Sequence, residues 1–139
     1  MLKVAFASDD HTTVNQHFGA AVGFAVFALD SERWQLVGLA EFPSETMDGN
    51  EDKLPAKIAA LSGCAAVYCL AAGGSAVKQL LAAGVQPIRV DAETAIEVLL
   101  SQIRGAIRTG GIPWVDKAVS RPRADSSRFD RMAEENWEE

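Results

Sequence analysis

Gly63-Cys64-Ala65-Ala66-Val67-Tyr68-Cys69-Leu70-Ala71-Ala72-Gly73-Gly74-Ser75 is the stretch on which the fold class turns. Cys64 to Leu70 is short and almost wholly apolar, the pattern of an inner strand covered on both faces. Ahead of it, Leu54, Ile58 and Leu61 fall at i, i+4 and i+7 of a helix. Pro55 suits only the first turn of that helix, so its cap is expected between Asn50 and Asp52, and Gly63 is the natural stop. Behind it, Gly73-Gly74-Ser75 opens a second helix with Val77, Leu80 and Leu81 inward and Gly84 at its end. The chain therefore alternates helix and strand through its middle.

Toward the C-terminus, Val85 to Val90 is a further strand, placed at a sheet edge by Pro87. Asp91 is expected to cap the last main helix, whose stripe Ile96, Leu99, Leu100, Ile103 and Ile107 ends at Gly110-Gly111. Toward the N-terminus, Val4-Ala5-Phe6-Ala7-Ser8 reads as a buried first strand ending at Asp9-Asp10. Phe24 to Leu29 and Trp34 to Ala40, joined by the turn-prone Asp30-Ser31-Glu32-Arg33, form an antiparallel hairpin. An early hairpin followed by parallel crossovers gives an α/β fold: one mixed sheet flanked by helices.

With 139 residues, 48% of them hydrophobic and 23% charged, the chain can fill one core, and disorder throughout is excluded. We expect a domain over residues 1–110, then a linker and acidic tail over 111–139 in which Phe129, Met132, Ala133 and Trp137 share one face of a short helix. Asp125 to Glu139 carries six acids and two bases, so it holds −4 of the formal −6. Without clustered Lys and Arg, nucleic acid is an unexpected partner. No apolar run approaches the roughly 20 residues of a spanning helix, and the early carboxylates do not suit a signal peptide, so a cytoplasmic protein without a membrane partner is expected.

Both histidines fall in the polar stretch after the first strand. In Asn15-Gln16-His17-Phe18-Gly19, His17 sits where α/β folds place binding groups, and Gly19 permits a bend that turns the imidazole outward while Phe18 anchors inward. His11, among Asp10, Thr12 and Thr13, has a plain solvated context. The second candidate is Gly73-Gly74-Ser75, whose bare amides at a helix start form an anion cradle, with Lys78 close by; tight strand–helix packing explains the glycines equally well. In an unbroken strand, Cys64 and Cys69 would lie about 16 Å apart on opposite faces, too far to bridge, and both fit as small buried hydrophobes. Asp9, Asp10 and Asp30 raise a Mg²⁺-dependent phosphodiesterase, against which the turn position of Asp30 argues.

Taken in order, Val4-Ala5-Phe6-Ala7-Ser8, Asn15-Gln16-His17-Phe18-Gly19, Asn50-Glu51-Asp52-Lys53-Leu54, the Gly63–Cys69 run and Gln79-Leu80-Leu81-Ala82-Ala83-Gly84-Val85-Gln86-Pro87 resemble the NifX/NafY family of dinitrogenase iron–molybdenum cofactor proteins. The resemblance covers roughly residues 2 to 110, and Arg128 to Trp137 is similar to the family's C-terminus. It implies a ribonuclease-H-like fold, no enzymatic activity, and a carrier of iron–sulfur precursors of the iron–molybdenum cofactor, such as the NifB product. By the same resemblance, His17 contacts the cluster metal. Cluster donor and scaffold proteins, and apo-dinitrogenase, are the implied partners. The candidate site is then His17, Phe18 and Gly19 with Gly73, Gly74 and Ser75, holding the precursor, or the molybdenum-containing cofactor itself, transiently. Few protein ligands suit a carrier, since four thiolates would trap the cargo.

Overall fold

The computed structural model describes residues 1–42 and 50–120. In chain order the elements are β1 (Leu2–Ala7), β2 (Thr13–Val14), β3 (Gly23–Leu29), β4 (Trp34–Glu41), α1 (Asn50–Ala60), β5 (Ala66–Cys69), α2 (Gly74–Ala82), β6 (Gln86–Arg89), β7 (Thr94–Ala95), α3 (Ile96–Thr109) and α4 (Pro113–Ser120). Five strands form a mixed sheet in the order β4-β3-β1-β5-β6. β1 is central because it is apolar on both faces, pairing antiparallel with β3 and parallel with β5. This is the expected ribonuclease-H-like mixed α/β arrangement, with the Pro87 strand at one edge and β4 at the other.

Alternation along the strands divides the core into two layers. Ala5, Ala7, Phe24, Val67 and Cys69 face α1 and α2, where Leu54, Ile58, Leu61, Ala76 and Leu80 cover them. Val4, Phe6, Ala25, Ala66 and Tyr68 face α3, whose Ile96, Leu99, Leu100 and Ile103 form the anticipated stripe. Gly63, Gly84 and Gly110 adopt φ of +87°, +82° and +83° where the three helices are left, a conformation that favours glycine.

Four local expectations are corrected. α1 begins at Asn50, so Pro55 lies beyond its first turn. Asp91 does not cap α3: Thr94–Ala95 is held extended against Thr13–Val14 in a second, two-stranded sheet, and the Ile96 N–H is taken by the Thr12 carbonyl at 2.9 Å. Cys64 and Cys69 do not face opposite sides, because the strand starts only at Ala66; Cys64 closes the turn after α1, donating its N–H to the Leu61 carbonyl at 2.9 Å, and both thiols enter the α1/α2 layer. The segment after Gly111 includes α4, which buries Val115, while its Trp114 Nε1 donates to Tyr68 Oη at 3.2 Å. The expected helix around Phe129 to Trp137 lies outside the described residues.

Candidate functional site

β1 runs into a tightly bonded strap. The buried Ser8 Oγ accepts the His11 N–H at 2.8 Å, and the Asp10 carboxylate accepts the N–H groups of Thr12 at 2.8 Å and Thr13 at 2.9 Å. Those two amides, Thr12 first, hold the Asp10 carboxyl well below the usual carboxylate range. Asp9 and Asn15 form a reciprocal pair, Asn15 Nδ2 donating to Asp9 Oδ1 at 2.7 Å and the Asp9 N–H to Asn15 Oδ1 at 3.1 Å. Asp30 sits at the other end of the sheet, following Leu29, which pairs with Leu2, and its carboxylate accepts Glu32 and Arg33 amides. The three aspartates thus serve turns and do not converge. Among the described residues, no group of three or more His, Cys, Asp and Glu is placed to hold a metal ion.

Beyond the strap, the chain binds the start of the β5–α2 connection through two backbone bonds. Leu70 donates its N–H to the Gln16 carbonyl at 2.9 Å, and Phe18 donates to the Ala71 carbonyl at 2.8 Å. His17 is the residue between these two bonds, and it is exposed while Phe18 is fully buried. The outward-histidine, inward-phenylalanine expectation therefore describes the loop. A turn follows, with Ala20 donating to the His17 carbonyl at 3.2 Å and Ala21 to the Phe18 carbonyl at 3.3 Å. Gln16 Oε1 closes the segment by accepting the Val22 N–H at 2.8 Å. Gly19 makes this turn without the left-handed backbone that favours glycine.

Two residues past Ala71, Gly73 caps α2 in extended conformation without a side-chain hydrogen bond, and the first helical bond runs from the Val77 N–H to the Gly73 carbonyl at 3.0 Å. The amides of Gly74, Ser75 and Ala76 precede that bond. Gly73, Gly74 and Ser75 are exposed, and a Cβ on either glycine would meet no atom of the described residues within 4 Å. Internal packing therefore does not demand the glycines.

The thiols stay out of this surface. Burial pushes the Cys69 thiol up to about 11, although the Ala71 backbone opposes the shift, and burial also raises Cys64. Both are protonated, buried hydrophobes near neutral pH. His11 has φ of +65° and lies 3.9 Å from Glu41 Oε2, away from the paired loops in the bonding scheme. One residue at the site was missed: Lys57, 5% exposed, reaches from α1 to donate to the Gly19 carbonyl at 2.7 Å. The signal was present, since position 57 falls on the inward stripe of Leu54, Ile58 and Leu61, where a lysine is out of place.

Comparison with known proteins gives a consistent result. The sequence profile of the family described as dinitrogenase iron-molybdenum cofactor matches residues 1–105. The chain is 49% identical over 140 residues to Protein NifX of Azotobacter vinelandii, covering all of this chain and 89% of that protein. It is 35% identical to Protein NifX of Klebsiella pneumoniae, covering 96% and 82% of the two chains. The crystal structure of PH0822 shares the fold, with a TM-score of 0.56 at 20% identity over 76% of this chain and 90% of that one.

Proposed function

The chain belongs to the dinitrogenase iron–molybdenum cofactor family, and from that premise we propose that it serves nitrogenase cofactor biosynthesis as a carrier, binding an iron–sulfur precursor and passing it on. The cargo is of the NifB-product type. His17 offers an imidazole nitrogen to an open iron position, and the Gly73, Gly74 and Ser75 amides donate hydrogen bonds to the anionic sulfides. The formal charge of −6 repels such an anion at long range, so oriented N–H groups at the contact supply the attraction.

The observation that carries this proposal is the pair of backbone bonds at 2.9 and 2.8 Å flanking His17, because they join the histidine loop to the segment leading into the bare α2 start. A single side-chain ligand also suits release. With Cys64 and Cys69 buried and protonated, thiolate ligation does not compete with handover. Donor and scaffold proteins of cofactor assembly are the partners of such a carrier, in the cytoplasm and without catalysis by this chain.

The test is anaerobic mixing with the precursor cluster, followed by gel filtration with iron and molybdenum quantified. The parent chain and His11→Ala should elute with iron, and His17→Ala should retain at least tenfold less. Equal retention by His17→Ala would remove the histidine from the site. A second role, chaperoning apo-dinitrogenase, draws support from edge strand β4, which exposes Leu36, Val37 and Leu39. Co-purification with that protein, lost when the chain is cut at Ser126, would favour it.

A further inference from the structure

We propose that Lys57 is the positioning residue of the His17 loop: from within the core its ammonium fixes the Gly19 peptide, and thereby how His17 is presented. Lys57 lies on the inward face of α1 with Leu54, Ile58 and Leu61. Burying a lysine there costs desolvation that a methionine or leucine of similar reach would avoid. A lysine adds a donor to the turn that those residues lack, a short charge-assisted bond of 2.7 Å to the Gly19 carbonyl. Its Nζ also lies 5.8 Å from the Phe42 ring centroid, within the range of a cation–π contact.

The turn needs such a tie. Its own backbone bonds, at 3.2 and 3.3 Å, are at the long end of the hydrogen-bond range. Gly19 is exposed, its φ is not left-handed, and a Cβ there would touch no atom of the described residues within 4 Å, so among those residues no steric wall fixes its peptide. Among the described residues the loop is thus held by β5–α2 backbone at Gln16 and Phe18, by the Gln16 side chain at Val22, and by α1 through Lys57 at Gly19. Loss of the Lys57 hold leaves Phe18 and Val22 anchored and loosens the peptides of the turn between them.

The consequence for binding rests on the carrier proposal; the consequence for the loop does not. In Lys57→Met, amide hydrogen exchange at Ala20 and Ala21 should accelerate at least tenfold, while amides of Phe18, β1 and α3 keep parental rates. Precursor retention on gel filtration should fall at least tenfold. Parental protection across the turn in a folded Lys57→Met chain overturns the proposal, as does acceleration spread evenly over the protein, which marks a merely stabilising side chain. If the parent chain itself retains no precursor, the carrier proposal fails while exchange still decides on Lys57. If Lys57→Met does not fold, the parent supplies the readout: a through-hydrogen-bond coupling between Lys57 Nζ and the Gly19 carbonyl carbon is expected, and its absence overturns the assignment.

Discussion

Phe18→Ala tests whether the loop is anchored as described. The ring is fully buried in the α1/α2 layer, with its centroid 5.3 Å from that of Phe24. Removing it forfeits the transfer energy of the aromatic side chain and leaves a cavity, together about 3–5 kcal/mol. Part of that is the tilted aromatic pair, worth about 0.5–1.5 kcal/mol. A domain of this size has about 5–15 kcal/mol of stability, so the variant should remain folded but with much of its margin gone. In urea, with a slope of about 2 kcal/mol/M, a loss near 4 kcal/mol moves the midpoint down by about 2 M. Phe18→Leu refills most of the space and should lose under about 1.5 kcal/mol. His17→Ala, one residue away but exposed, should stay within about 0.5 kcal/mol of the parent. A Phe18→Ala loss below about 1 kcal/mol would refute the buried anchor, and with it the physical reason for His17 pointing outward.

Gly74→Ala separates packing from recognition: it should leave stability equal or raise it by up to about 1 kcal/mol in thermal or urea melts, while precursor retention falls as the new methyl obstructs the α2 amides. Stability should also decline with alkaline pH. The Cys69 thiol is raised from 9.0 to about 11 in the folded chain, so the unfolded chain ionises first and the stabilisation is lost as pH rises from about 9 through about 11; Cys69→Ala should flatten this part of a urea-midpoint profile against pH. Truncation after Gly111 removes the buried Val115 and the Trp114–Tyr68 bond, and urea melts should show a loss of at least about 2 kcal/mol.

Much of the architecture was legible because burial imposes period on sequence. The apolar runs of β1 and β5 and the Ile96–Ile103 stripe of α3 each announced their element and its covered side, and the glycines after the helices marked their ends. Failures occurred where a partner distant in the chain decided the conformation. Thr13–Val14 and Thr94–Ala95 are two-residue strands that exist only by pairing with each other, and this pairing displaced the expected Asp91 cap. Cys64 changed side because its turn, not a strand, set its direction.

The amino-acid order by itself determined the outward histidine beside an inward phenylalanine and the bare glycines of α2, since both depend on side-chain chemistry over a few consecutive residues. Only the tertiary structure decided that these two segments belong together. The two backbone bonds between residues 16–18 and 70–71, and the reach of Lys57 across 38 positions to Gly19, join groups remote along the chain. Backbone amides and carbonyls are common to nearly every residue, so such bonds leave no mark in sequence until the sheet brings its loops to a shared edge.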